Sequence, residues 1–243
     1  MGNILEVRNI KKSFGGIHAV RDVSFDIREG EILSLIGPNG SGKSTCVNLI
    51  SGMYSLDAGT VTFKGTDISK MKPERRVALG IGRTFQTPKP FTNISVYDSV
   101  FTVALLYNQT FDEAEEATVK ILEDTKLLQF KDMKSGKLPI EMRKWLDLAR
   151  VLATKPTLIM FDEVMAGLNP MELDDSLELI RKVNEAGVSI LFIEHVMRAV
   201  MKISHRVIVL DEGRLLAEGL PQDVLNNPEV IKAYIGGVKN AEN

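Results

Sequence analysis

Two short stretches carry side chains whose types and spacing could do chemistry. The first, Gly37-Pro38-Asn39-Gly40-Ser41-Gly42-Lys43-Ser44, fits the pattern G-x-x-x-x-G-K-[ST]. Glycines let successive backbone N–H groups turn inward around phosphate oxygens, and a helix beginning there adds its partial positive charge. Lys43 would neutralise β- and γ-phosphates, and the Ser44 hydroxyl would ligate Mg²⁺. The second stretch is Asp162-Glu163, two acids closing an apolar run. Asp162 would hold Mg²⁺ through its water shell, while Glu163 would polarise an attacking water. An acidic turn after a strand is common and alone says little. A phosphate loop upstream in the same sheet makes the hydrolytic reading the better one.

For these groups to meet, the chain must build a particular scaffold. An apolar run at residues 32–36 precedes the phosphate loop, and a helical pattern over 43–51 follows it, with Gly52 as a stop. Residues 157–161, 189–193 and 206–210 are nearly continuous apolar runs, which fits strands of a parallel sheet covered on both faces. A helical stretch over 171–185 separates the first two, an alternation that argues an α/β sheet with crossover helices. Ligands of such sheets lie at the carboxyl ends of the strands, so both acids should fall beside the phosphate loop. Upstream, residues 4–7, 23–27, 31–36 and 61–63 read as strands punctuated by Gly15-Gly16 and Glu29-Gly30.

The middle of the chain changes character. Between residues 95 and 153 the one glycine is Gly136, and the pattern turns helical. Ser95-Val96-Tyr97-Asp98 and Thr110-Phe111-Asp112-Glu113 each fit a capping box. A helix over about 112–125 would set Ala114, Ala117, Ile121 and Leu128 near one face. The block predicts a helical subdomain inserted into an α/β one, with Pro88-Lys89-Pro90 as its hinge.

Composition narrows the function classes. Hydrophobic residues at 44% and charged residues at 26% are ordinary globular values. A net charge of -2, from 30 basic and 32 acidic residues, gives no electrostatic case for nucleic-acid binding. The single cysteine, Cys46, excludes an intramolecular disulfide. No apolar run approaches the roughly 18 residues of a membrane helix, and Met1-Gly2-Asn3-Ile4-Leu5-Glu6 lacks the basic and apolar regions of a signal peptide. These features predict a soluble protein that meets a membrane through a partner.

Further motifs make the chain resemble the nucleotide-binding subunits of ABC transporters over nearly all its length. Phe14 in Ser13-Phe14-Gly15-Gly16 matches an aromatic that stacks on adenine. Gln86 in Arg83-Thr84-Phe85-Gln86 matches a glutamine that reaches Mg²⁺ and the attacking water and senses the transmembrane partner. Ala166-Gly167-Leu168-Asn169-Pro170 matches the loop that crosses the dimer interface, and His195 the histidine on the γ-phosphate. The resemblance implies an α/β fold: a P-loop NTPase (RecA-like) core with an N-terminal antiparallel β-subdomain and an inserted helical subdomain. Residues 1–87 and 155–243 would form the nucleotide-binding core and residues 88–154 the insertion, within a single domain. It assigns Phe14, Gly37, Pro38, Asn39, Gly40, Ser41, Gly42, Lys43, Ser44 and Thr45 to ATP. Ser44, Gln86 and Asp162 go to Mg²⁺, and Lys43, Gln86, Glu163 and His195 to hydrolysis.

Gly82-Arg83-Thr84-Phe85-Gln86, Pro90-Phe91-Thr92, Ile193-Glu194-His195-Val196-Met197 and the tail Pro228-Glu229-Val230-Ile231-Lys232-Ala233-Tyr234 narrow the resemblance to the ATPases of branched-chain amino-acid uptake. Relatives with similar wording serve urea and lipopolysaccharide transport. The implied partners are membrane permease subunits, a second ABC ATPase and, indirectly, a substrate-binding protein, at the cytoplasmic face of a membrane. One stretch departs from the family: where L-S-G-G-Q is expected, the chain has Leu138-Pro139-Ile140-Glu141-Met142. Pro139 has neither hydroxyl nor N–H to offer a phosphate, and Glu141 adds negative charge. The chain's own site should be intact and what it lends across a dimer impaired, which favours a heterodimer over a homodimer. It also keeps open a nucleotide-gated interaction module with little hydrolysis.

Overall fold

The computed structural model describes residues 2–85, 91–165 and 167–239. Two sheets and a helical layer share its interior. The first sheet is antiparallel: β1 (Asn3–Phe14) and β2 (Ile17–Arg28) form a long hairpin, and β1 also pairs with β4 (Ala58–Phe63), which carries β5 (Thr66–Asp67). Gly15 and Gly16 make the hairpin turn with φ of 52° and 86°, the pair of positive values that a two-residue loop between twisted strands demands.

The second sheet has the order β10-β9-β3-β8-β7-β6, built from β3 (Ile32–Ile36), β6 (Ile81–Arg83), β7 (Leu158–Asp162), β8 (Ser189–Ile193), β9 (Arg206–Asp211) and β10 (Arg214–Gly219). All its pairings are parallel except β9 with β10. Every residue of β3, β7 and β8 is buried, because both faces are covered. On one face, Leu33, Leu35, Met160, Leu191 and Ile193 pack with Cys46, Leu49 and Ile50 of α1 (Lys43–Ser51) and with Val7, Val23 and Phe25 of the antiparallel sheet. On the other, Ile159, Phe161, Ile190 and Phe192 meet Leu173, Leu177 and Ile180 of α6 (Pro170–Glu185) and Ala199 and Ile203 of α7 (Met197–Ile203).

Between β6 and β7 lie α3 (Val96–Tyr107), α4 (Phe111–Asp124) and α5 (Ile140–Leu152). Val96, Val100, Ala114, Leu122, Leu146 and Ala149 form their shared core, and Trp145 packs against both this cluster and the sheet's outer face. The buried face of α4 is Ala114, Thr118 and Leu122, with Ile121 and Leu128 of the expected set packed partly buried against the same core. Thr118 donates its hydroxyl to Ala114 O at 2.7 Å, which lets a polar residue sit inside. Leu128 lies past the helix, in a 3₁₀ turn. Thr110 and Glu113 form the reciprocal capping box, whereas Asp98, one methylene shorter than Glu, takes the Ser95 hydroxyl at 2.6 Å instead of reaching back to the backbone.

A buried arginine closes α1. Arg76, on α2 (Pro73–Ala78), donates to Leu49 O and Ile50 O at 2.8 and 2.7 Å and to Met71 O at 2.9 Å. It thereby satisfies carbonyls that a helix end leaves open. The chain finishes with α8 (Pro221–Leu225) and α9 (Pro228–Lys239); Val224 and Val230 pack on Ile36, Val207 and Val209. Among the described residues no helix is long and apolar enough to cross a membrane.

Candidate nucleotide site

The loop between β3 and α1 is shaped by its glycines. Gly37, Gly40 and Gly42 have φ of 148°, 79° and 103°, all in the region open to glycine. A Cβ on Gly37 would overlap Leu210 O of β9, and one on Gly42 would overlap Ala19 O of β2, so neighbouring strands fix the loop from both sides. Gly42 caps α1 without a side-chain acceptor, leaving the first-turn N–H groups for an anion. Asn39, Gly40 and Ser44 are exposed, and Pro38 and Thr45 partly so; Gly37, Ser41 and Lys43 are buried. The Lys43 ammonium donates to Gly37 O at 2.8 Å and Pro38 O at 3.0 Å, closing over its own loop. Burial lowers its pKa, while the nearby charges of Glu163 and Asp162 oppose the shift. The acids and the lysine therefore share one field.

Asp162 ends β7 in register with Ile193. It is buried and paired with Arg83 Nη2 at 2.8 Å. Arg83 closes β6 and also donates to Asn48 Oδ1 at 2.7 Å and Ser51 Oγ at 3.0 Å on α1. Glu163 follows with φ of 52°, a conformation a non-glycine residue seldom adopts, and its N–H donates to Ile193 O at 2.9 Å. His195 is exposed just beyond β8, the strand between β3 and β7. Phe14, 41% exposed at the hairpin tip, meets Tyr54 edge-on at 5.2 Å. Gln86, Thr87 and the hinge at 88–90 lie outside the described residues, as does Ala166.

Among the described residues, the hard oxygen donors that the site offers a cation include the Ser44 hydroxyl and the Asp162 carboxylate. Among the described residues no three His, Cys, Asp or Glu side chains cluster as a metal cage. That fits Mg²⁺, which is held by one or two protein oxygens with phosphates and water completing the shell.

The departed stretch starts α5. Leu138 is buried, and Pro139 is the N-cap, with no side-chain acceptor on the first turn. Ile140 and Glu141 are exposed, and Arg143 braces the stretch by donating to Leu138 O and Gly136 O, both at 2.9 Å. Open N–H groups remain here, without a hydroxyl.

Sequence reasoning passed over two polar residues of the site. Arg83 stands in Gly82-Arg83-Thr84-Phe85-Gln86 and Glu194 in Ile193-Glu194-His195-Val196-Met197, stretches that carry the resemblance but give neither residue a role. Glu194 is entirely buried (0% exposed) and accepts from the Met165 N–H at 2.8 Å. A charged residue continuing a buried strand was the available signal.

The family described as "ABC transporter" matches residues 20–166, and "Branched-chain amino acid ATP-binding cassette transporter" matches residues 214–239. The high-affinity branched-chain amino acid transport ATP-binding protein BraF of Pseudomonas aeruginosa is 34% identical, over 96% of this chain and 98% of its own length. LivG of Salmonella typhimurium, named for the same transport, is 36% identical with the same coverage. A crystal structure of the ADP conformation of an ATP-binding cassette of an ABC transporter superposes with a TM-score of 0.87 at 33% identity, covering 97% of this chain and 100% of that one. A nucleotide-free ATP-binding cassette gives 0.86 at the same identity and coverage. With its phosphate loop, its paired acids and these matches along nearly its whole length, the chain belongs to the ABC transporter ATP-binding proteins of the branched-chain amino acid family and is an ATPase.

Proposed function

We propose that this ATPase drives an importer for branched-chain or related amino acids, from the cytoplasmic face of a membrane. The cargo reading is supported by the match over residues 214–239 and by the transport named for the relatives. The observation that carries the mechanism is the convergence of Lys43, Asp162 and Glu163 in one field at the carboxyl ends of β3 and β7. Phe14 stacks on adenine, and residues 37–45 cradle the phosphates through backbone N–H groups. Ser44, Asp162 and Gln86 would hold Mg²⁺, which when bound would screen the phosphate charge. Glu163 takes a proton from a water as its oxygen bonds to the γ-phosphorus and the β–γ bridging bond breaks, releasing ADP and phosphate. Lys43 and His195 hold the charge that gathers on the γ-phosphate.

The permease docks beside Gln86. Support comes from the exposed rings of Phe85 and Phe91 at either end of the segment 86–90, lying 5.1 Å from Arg83 and 4.7 Å from Arg150 respectively. A cytoplasmic helix of the permease would cover them. A second ATPase closes head to tail on this one and a substrate-binding protein delivers the cargo. Urea or lipopolysaccharide systems are the alternatives for cargo, separable by competition in vesicle uptake.

The test of the mechanism is Glu163→Gln in the assembled transporter. ATP binding should persist while turnover falls by the roughly 10²–10⁴-fold credited to a positioned acid–base group. Lys43→Ala should lose tight ATP binding itself. Near-normal hydrolysis by Glu163→Gln would remove Glu163 from its role.

A further inference from the structure

Glu194 has no part in the steps above, yet a carboxylate withdrawn from water is costly to keep unless the fold uses it. It sits between the end of β8 and His195, completely buried. Its Oε1 accepts the Met165 N–H, and its Oε2 meets no hydrogen-bond partner among the described residues. Burial pushes its pKa up to about 7 and the Glu163 charge adds to the rise, while the N–H groups of Met165, His195 and Val196 hold it back.

Met165 closes the segment 163–165, whose backbone is fastened, among the described residues, at each of its three positions. The Glu163 N–H donates to Ile193 O at 2.9 Å, the Met165 N–H to Glu194 at 2.8 Å, and Lys144 Nζ of α5 to Val164 O at 3.1 Å. Of these three, the bond to Glu194 is the side-chain one that ties the segment to the turn bearing His195. Glu163 itself stands in left-handed backbone, which persists in a non-glycine residue when surrounding contacts impose it. A buried hydrogen bond two residues further on is such a contact.

We propose that Glu194 is a positioning residue that locks the segment 163–165 to the His195 turn and so sets the separation of Glu163 and His195. The proposal rests on the reading of those two as the hydrolytic groups. It makes the segment and the histidine one mechanical unit: neither moves without breaking the Met165–Glu194 bond.

The chain carries its own reporter. Trp145, its single tryptophan, packs in the same apolar cluster as Val164, Met165 and Leu168. Its emission reads the segment without any hydrolysis. Three variants separate the possibilities. Glu194→Gln keeps an acceptor at the same reach, Glu194→Met keeps size without an acceptor, and Glu194→Asp keeps the charge one methylene short. Glu194→Gln should hold Trp145 emission at the wild-type value in the full chain, and kcat within about threefold in the assembled transporter. Glu194→Met and Glu194→Asp should both shift the emission and lower kcat about tenfold or more, with KM for ATP within about twofold. Should Glu194→Met fail to fold, Glu194→Asp carries that arm. Unchanged emission in Glu194→Asp, or Glu194→Gln damaged as badly as Glu194→Asp, would overturn the lock. A shifted emission with unchanged kcat would support the lock and instead sink the assignment of Glu163 and His195.

Discussion

Replacing Arg83 with methionine isolates the ion pair that holds Asp162. The Arg83 and Asp162 side chains are 11% and 9% exposed and 2.8 Å apart, so solvent screens them little. Arg83→Met keeps most of the stem's bulk but leaves the carboxylate buried without that partner. Lys43 compensates only in part: it feels the Asp162 charge, yet its ammonium donates to the carbonyls of Gly37 and Pro38 rather than to that carboxylate. Breaking a buried pair from one side costs about 3–5 kcal/mol, since a lone charge remains in poorly solvating surroundings. Asn48 and Ser51 lose a donor as well; Asn48 is half-buried, and buried Ser51 keeps its own bond to Asn48 O at 3.3 Å. About 4 kcal/mol is therefore expected. At roughly 2–4 °C per kcal/mol for a chain of this size, the nucleotide-free protein should melt about 8–16 °C lower. Asp162→Asn in the same background removes the stranded charge, so the double variant should recover about 2–3 kcal/mol relative to additive losses. Urea and thermal denaturation of the four proteins measure the cycle. A loss below about 1 kcal/mol in Arg83→Met, or additivity in the double variant, would falsify the argument that this pair is what makes a buried Asp162 tolerable.

Two other outcomes follow from the geometry. Because α5 starts with Pro139 and lacks a hydroxyl, a partner's ATP should lose charge-assisted donors worth about 1.5–3 kcal/mol each, slowing closure there tenfold or more; Glu163→Gln in this chain should then stop most turnover and the equivalent change in a partner ATPase less, and equal losses would remove the asymmetry. Glu194, raised from 4.5 to about 7, binds more protons in the folded than in the unfolded state between those values. Stability should accordingly fall by about 3 kcal/mol as pH climbs through that window and be level beyond it, a loss that Glu194→Gln should abolish in denaturation series; parallel curves would contradict it.

The phosphate loop was legible because its requirements are local. Each glycine answers a backbone angle within a few residues of the next, and the apolar run and helical pattern flank it directly. Asp162 and Glu163 were legible for a similar reason: a buried strand ends there, and strand ends in such sheets face the ligand. What escaped was set by topology. Arg83 meets Asp162 across 79 positions and Met165 meets Glu194 across 29, and no periodicity relates residues so far apart. Counting apolar positions also missed Thr118 on the inner face of α4, since it conceals its hydroxyl by bonding back to Ala114 O. Asp98 looked equivalent to Glu113 until reach was considered.

Arg76 has an electrostatic consequence for the far end of α1. An isolated helix is a dipole, with about half a positive charge at its start and half a negative one at its end, and such fields fade quickly. Here the guanidinium sits on the closing carbonyls of Leu49 and Ile50, so the negative pole is more than cancelled. Asp67, on the exposed side, returns part of that charge. What a phosphate meets at Lys43 is then closer to a monopole than to half of a dipole. A helix of 9 residues is about 13 Å long. At that range, with an effective dielectric near 20, one unit of charge is worth about 1 kcal/mol to each negative charge at the loop. Anion affinity at one end of this helix is thus partly written at the other.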